Sequence, residues 1–236
     1  MIALSLLAGQ LQERVIDFFF PRRCVGCGKI GDFLCVGCCQ KLPRLVQPFC
    51  QKCGKPESSG VLCSACWGQK TDIDGIRSVF RFEGIVRQAI HELKYRNLKA
   101  ISGCLAMFMA GYLQDTPVHG EVLVPVPLHS RRLRERGYNQ SGLLAQELGK
   151  LIGLSVIDDS LSRVKDSLPQ ARTTAIEERR NNVKEAFACR DEKLKARNVI
   201  LIDDVCTSGA TLENCAAALK ASGAISVWGF TLAREI

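Results

Sequence analysis

Val199-Ile200-Leu201-Ile202-Asp203-Asp204-Val205-Cys206-Thr207-Ser208-Gly209-Ala210-Thr211-Leu212 is the stretch whose reading decides this chain. Four apolar residues suit a buried strand, two acids stand at its carboxyl end, and a small hydroxyl-rich turn opens a helix expected over about residues 211–221. In an open α/β sheet, ligands bind beyond the carboxyl ends of strands, and a helix N-terminus offers unpaired N–H groups to an anion. Thr207, Ser208, Gly209 and Thr211 suit a phosphate, with Gly209 allowing the backbone to come close. Adjacent carboxylates cannot neutralise a phosphate, so Asp203 and Asp204 have another task. They are suited to accept hydrogen bonds from sugar hydroxyls and to bias a Mg²⁺ that those hydroxyls also bind. The plainer alternative is a strand end with an Asp cap on the following helix.

Outward from this stretch, strands and helices alternate. Residues 76–82 alternate like a half-buried strand, while residues 85–95 and 101–113 have helical spacing. A short buried strand over residues 122–126 leads into a polar loop over 127–139 and a helix over 140–152. A further helix is expected around residues 174–181, and a last strand over 225–232. This alternation predicts an α/β domain over residues 71–236, with a mostly parallel sheet covered by helices on both faces.

Residues 22–70 have a different character. Nine of the thirteen cysteines fall here, and eight of them form four C-x-x-C pairs: Cys24 with Cys27, Cys35 with Cys38, Cys50 with Cys53, and Cys63 with Cys66. Each pair puts two thiolates on a tight turn, and two turns complete a tetrahedral Zn²⁺ site. Disulfide frameworks of secreted domains do not repeat C-x-x-C in this way, and a redox dithiol would open a helix after a strand. Two structural zinc ions are therefore expected, in place of a core that the segment is too short to build. Short loop closure favours one zinc per consecutive block, although a cross-braced arrangement uses the same ligands, and Cys39 competes with Cys38. Cys104, Cys189, Cys206 and Cys215 are scattered, and buried free thiols are the expectation for most of them.

The 236 residues carry a net charge of +8, which suggests an anionic partner. Residues 21–70 supply +6 of it, and eight thiolates on two Zn²⁺ would bring the whole chain to about +4. Bulk charge is then a poor guide to partners. Residues 1–21 are read as an amphipathic helix that docks on the rest of the protein, since its polar face lacks the Lys/Arg cluster of a membrane-surface helix. No apolar run approaches a membrane span, and the opening residues do not read as an export signal, so a cytoplasmic protein is expected.

One more string bears on chemistry. Val124-Pro-Val-Pro127 runs into Leu128-His129-Ser130-Arg131-Arg132-Leu133-Arg134-Glu135-Arg136-Gly137-Tyr138, with four arginines in six residues at another strand end. Such a loop is either a solvated face or the place where a second anion would lie beside the first.

The 199–212 string resembles the ribose-phosphate motif of class I phosphoribosyltransferases, which bind phosphoribosyl pyrophosphate (PRPP). With the cysteine pairs ahead of it, the chain resembles the competence protein F (ComF) family, including the GntX-type DNA-utilisation proteins. Further parts of the likeness are Phe20-Pro-Arg-Arg-Cys24, Leu93-Lys94-Tyr95, Val124 to Pro127, Arg131 to Gln140 and Asn181 to Phe187. The resemblance implies that Asp203 and Asp204 hold the ribose hydroxyls, and that Thr207, Ser208, Gly209, Ala210 and Thr211 hold the 5′-phosphate. It also implies that Pro127, His129 and their loop take pyrophosphate, while Arg131 and Arg132 open an arm that closes on the reaction. His129 fits either a general acid or an anion contact. Gln170, Arg179 and Asn182 match family positions near the substrate or the arm.

Three functions compete on this basis. The first is an enzyme that transfers the phosphoribosyl group of Mg-PRPP to an acceptor. The others are a PRPP sensor without turnover and a single-stranded-DNA-binding factor tied to DNA uptake or use. An aromatic content of only 6% leaves little stacking surface for the last.

Overall fold

The computed structural model describes residues 21–164 and 186–236. The expected N-terminal helix up to residue 20 and the helix around 174–181, with Gln170, Arg179 and Asn182, lie outside the described residues.

The predicted α/β class is what the chain adopts. Five strands, β1 (Gly75–Arg81), β2 (Val122–Pro125), β3 (Ser155–Val156), β6 (Asn198–Cys206) and β7 (Ser226–Arg234), form one sheet in the order β1-β7-β6-β2-β3. Every pairing in it is parallel. A separate antiparallel pair, β4 (Leu161–Arg163) with β5 (Phe187–Cys189), was not legible in advance, because three-residue strands carry no periodic signal.

Strand alternation sorts β6 into two faces. Ile200 and Ile202 join the core with α2 (Gly84–Tyr95), α3 (Ile101–Asp115) and α5 (Gln140–Ile152), while Val199 and Leu201 pack with α6 (Ala210–Ala221) and the β4–β5 pair. Helices therefore cover both faces, as expected.

Two expectations are corrected. Residues 130–136 fold as a short helix, α4 (Ser130–Arg136), where a loop was predicted. His129 Nδ1 caps it by accepting from the Arg131 N–H at 3.2 Å, and Gly137, at φ 76°, ends it. None of its residues is buried, so no apolar stripe announced it. The acids also do not stand beyond a strand that stops at Ile202. The strand β6 runs on to Cys206 because β7 supplies register partners that far, with Asp203 opposite Thr231 and Cys206 opposite Arg234.

The cysteine-rich segment contains one short helix, α1 (Val36–Cys39), among turns. It borrows a core instead of lacking one. Leu34 and Leu42 are buried in the same cluster as α2 and α3, and Arg44 bridges antiparallel to Phe80 on the otherwise open edge of β1. The Leu45 N–H donates to the Val79 carbonyl at 2.9 Å, and the Arg81 N–H donates to the Pro43 carbonyl at 2.8 Å. An exposed sheet edge is thus covered by the module.

Candidate functional site

The eight paired cysteines gather as two sets of four, Cys24, Cys27, Cys35 and Cys38, then Cys50, Cys53, Cys63 and Cys66, with the sulfurs of each set within 4.8 Å of one another. The pairing is sequential. Cys38, not Cys39, completes the first set, because the Cys39 thiol turns away to donate to the Leu34 carbonyl at 3.5 Å. A tetrahedral Zn²⁺ with Zn–S near 2.3 Å places its sulfurs about 3.8 Å apart. Cys27 and Cys35 sulfurs lie 3.6 Å apart, and those of Cys53 and Cys63 lie 3.7 Å apart.

The donor chemistry agrees with this geometry. Burial resists ionisation of Cys24, but the backbone N–H groups of Cys35, Cys27 and Gly26 outweigh it and lower the thiol to about 6. Its hydrogen-bonded neighbour Cys38 is pushed up to about 12. Four thiolates this close need a cation, and a closed set of four sulfurs leaves no open position for substrate. Both sites fit structural zinc, which would hold the turns together and supply no reaction step.

The second candidate site lies at the carboxyl end of β6. Asp204 continues the Ile200, Ile202 alternation onto the α2/α5 face and is 3% exposed. Lys94, in the last turn of α2, forms an ion pair with Asp204 Oδ2, and Gln140 Nε2 donates to Asp204 Oδ1 at 3.3 Å. Asp203 Oδ1 accepts from Ser141 Oγ at 2.7 Å and from the Asp204 N–H at 2.9 Å. Burial, with the adjacent Asp204 charge behind it, raises Asp203 to about 7. Asn139 sets up this arrangement: its side chain caps α5 by accepting from the Ser141 N–H, and its amide donates to the Val126 carbonyl at 3.0 Å.

Next to the acids, β6 turns into α6 through residues 207–209. Thr207, Ser208, Ala210 and Thr211 are exposed there, and Ser208 Oγ accepts from the Ala210 N–H at 3.3 Å. Gly209 has φ 87°, and a Cβ on it would stand 3.1 Å from Ile76 Cδ1, so both backbone shape and space select glycine. The turn exposes the hydroxyl-bearing residues Thr207, Ser208 and Thr211 beside two carboxylates. That arrangement suits a phosphorylated sugar.

The arginine string is placed less directly. Arg131 is 77% exposed in its side chain and pairs with Glu135 at 2.8 Å inside its own helix. Arg132 lines a cavity of about 570 Å³ with Lys94, Tyr95, Asn97, Glu135, Arg136 and Tyr138, and Lys94 joins that cavity to Asp204. Pro127 and Ser130 border a different cavity, of about 440 Å³, with Asn139, Arg163 and Arg190. Cys206 is buried at the end of β6, where its sulfur accepts from Arg234 Nη1 at 3.2 Å. Sequence reasoning gave no role to Lys94, Gln140 or Ser141. Lys94 and Gln140 sit inside strings that resemble the family, which was the available signal; Ser141 lies just beyond one.

The fold and the site define a class: a parallel α/β protein with an acid pair and a glycine turn at a strand end, carrying a two-zinc cysteine module. Residues 15–67 match the double zinc ribbon domain. Competence protein F of Haemophilus influenzae is 31% identical over 229 residues, which cover 91% of this chain and 99% of that protein. Competence protein ComFC of Bacillus subtilis is 31% identical over 215 residues, covering 88% of this chain and 86% of that one. DNA utilization protein YhgH of Escherichia coli K12 is 27% identical over 204 residues, covering 84% and 89%. The chain belongs to the competence protein F family.

Among solved structures, glutamine PRPP amidotransferase from B. subtilis is similar at 16% identity and a TM-score of 0.41, over 56% of this chain and 26% of that one. A purine phosphoribosyltransferase from Pyrococcus horikoshii is similar at 18% identity and a TM-score of 0.32, over 56% and 70%. At that level the likeness carries no assignment.

Proposed function

We propose that this protein binds PRPP and transfers its phosphoribosyl group to an acceptor, in the service of DNA uptake or utilisation in the cytoplasm. The observation that carries the reading is the juxtaposition at one strand end of an exposed, hydroxyl-rich glycine turn with a pair of anchored carboxylates. Ser141 fixes Asp203 and Gln140 fixes Asp204, so both acids are anchored on the first turn of α5, next to the residues that lead into α6. Residues 207–211 take the 5′-phosphate and the acids take the ribose hydroxyls. The two acids are held too closely by protein donors to form a resident Mg²⁺ site, so Mg²⁺ arrives as part of Mg-PRPP, on the substrate's own oxygens.

In the reaction the bond between the anomeric carbon and the pyrophosphate oxygen breaks, and pyrophosphate leaves with the electron pair. The acceptor forms the new bond to that carbon and gives up a proton to solvent. The work of the protein is orientation and stabilisation of the leaving charge, for which Arg132, in the cavity with Lys94, and Arg131 beside it on α4 are the proposed cations. The domain division at about residues 21 and 70 follows from this reading, with a zinc module serving a ligand-binding body. Calorimetric titration with PRPP and Mg²⁺, then a screen for pyrophosphate release over bases, amines and nucleic acids, tests it. Absence of PRPP binding removes the reading.

A second reading, single-strand binding without turnover, is favoured by one observation. Tyr95 is 67% exposed beside the cavity of Lys94, Arg132 and Arg136, with the Arg136 guanidinium 5.4 Å from its ring centre. A base can stack there while the cations track phosphates. Fluorescence anisotropy with a labelled oligonucleotide, with and without PRPP, separates the two.

A further inference from the structure

Two neighbouring carboxylates at a strand end invite the expectation of a divalent-ion site. The surroundings of this pair argue otherwise. Three of its four carboxylate oxygens are already engaged: Asp203 Oδ1 by Ser141 Oγ and the Asp204 N–H, Asp204 Oδ1 by Gln140, and Asp204 Oδ2 by Lys94. Mg²⁺ demands near-octahedral oxygen coordination and dehydrates reluctantly, so it needs carboxylate oxygens that are open to it.

Lys94 itself is well fixed. It follows Leu93, which is fully buried in the α2 face, and its own side chain is 22% exposed against 4% for Asp204. Removing either partner from such a pair leaves an uncompensated charge in a largely dry place. The ammonium nevertheless has an exit, since Lys94 also lines the cavity that holds Arg132 and Arg136.

We propose that Lys94 is the resident cation of the acid pair: its ammonium occupies the electrostatic position of a metal ion, so that the site holds no divalent ion alone and receives one only with an incoming ligand. The last clause rests on the PRPP reading above; the first does not. Lys94 is a positioning residue on this account. It keeps Asp204 oriented in the empty site, and it turns toward the ligand's diphosphate when that anion enters the cavity. The carboxyl of Asp203, raised by burial and by the Asp204 charge, gives the empty pair still less negative charge at neutral pH.

The test uses the full-length zinc-loaded protein and Mn²⁺ alone as a paramagnetic probe, titrated by electron paramagnetic resonance. The unaltered protein should leave Mn²⁺ free. Lys94→Met and Lys94→Gln should each gain one bound Mn²⁺ with at least tenfold tighter affinity, and the gain should vanish in Lys94→Met combined with Asp204→Asn. Lys94→Arg retains the charge and should behave like the unaltered protein, which a merely space-filling role would not require. Zinc content and melting temperature identify variants that fold. Binding of Mn²⁺ by the unaltered protein as tightly as by Lys94→Met overturns the proposal, and that arm needs no variant to fold more than the native chain does. So does a Lys94→Met or Lys94→Gln protein that folds and gains no ion. A separate PRPP titration of the unaltered protein judges the transferase reading: its failure removes the PRPP clause and leaves the Mn²⁺ outcome to decide the role of Lys94.

Discussion

The two cysteine clusters use the same four-thiol chemistry and stand on different parts of the body. The first is attached to the α2/α3 face. A Cβ on Gly26, between Cys24 and Cys27, would meet Cys38 Sγ at 2.9 Å and Ile85 Cδ1 at 3.1 Å, and Leu34 and Leu42 enter the core beside it. The second is attached to β1 beneath the Gly209 turn. The Ile76 N–H donates to the Lys52 carbonyl at 2.8 Å, and Gly54, at φ 73°, leaves room where a Cβ would stand 2.4 Å from the Ile76 carbonyl oxygen. Arg77 Nη1 donates to the Gln51 carbonyl at 2.9 Å, and its guanidinium lies between the Phe49 and Trp228 rings. The side chain of the same Ile76 then bears on Gly209. Glu213 of α6 ties in the chain that leaves the cluster, accepting from the N–H groups of Asp72 and Ile73. One cysteine cluster therefore props the core, and the other props the Gly209 turn.

The strongest way to break this comparison is to remove one cluster at a time. The unaltered protein should hold two Zn²⁺ per chain, and Cys53→Ser with Cys66→Ser should leave one and weaken ribose 5-phosphate binding by an order of magnitude or more. Cys27→Ser with Cys35→Ser should instead lower the melting temperature, with ribose 5-phosphate affinity of the folded fraction unchanged. Equal loss of binding in both pairs would show that the clusters act as one unit. Metal content, calorimetry and thermal melts read all three quantities.

A smaller effect separates the sugar end of the site from the phosphate turn that the second cluster supports. Asp203→Asn with Asp204→Asn keeps the shape and removes the charge, so PRPP affinity should drop by about tenfold while inorganic phosphate binding persists or strengthens. Unchanged PRPP affinity would make the acids structural.

The helix α4, which neither cluster touches through a buried residue, supplies the next contrast. Arg131→Ala with Arg132→Ala should leave the melting temperature within about 1 °C, because no residue of α4 is buried. On the transferase reading it should depress kcat more than it raises KM, tenfold for about 1.4 kcal/mol of lost transition-state contact. On the single-strand reading, turnover is absent and the salt slope of oligonucleotide binding flattens by about 0.7 per lost phosphate contact.

The last effect is a pH dependence of the empty site, read in stability alone. Asp203 titrates near 7 in the folded chain, above its ordinary 3.8, so between those values the unfolded chain loses a proton that the folded chain keeps. Stability should fall as pH rises through that window and level off above about 7. Asp203→Asn should flatten the decline, by about 2–4 °C in melting temperature per kcal/mol for a chain of this size. Parallel pH profiles for the two proteins would contradict the raised carboxyl.

The amino-acid sequence by itself determined what depends on local spacing. Four C-x-x-C pairs announced two four-sulfur clusters, and the run from Val199 to Leu212 announced a strand, an acid pair and a hydroxyl-rich glycine turn into a helix, because side-chain period and turn chemistry are written within a few residues. It also marked most helices of the α/β body to within two residues. Only the tertiary structure decided matters that depend on distant partners. It chose Cys38 over Cys39, since the adjacent thiols point different ways and that of Cys39 donates to the Leu34 carbonyl instead. It carried β6 past the acids, because the length of a strand depends on what its neighbour β7 offers. It brought Lys94, Gln140 and Ser141 to Asp203 and Asp204 from more than sixty residues away in two cases and more than one hundred in the third, which no spacing rule encodes. And it gave two clusters of identical chemistry different neighbours, Ile85 for one and Ile76 for the other, so that their consequences differ although their motifs do not.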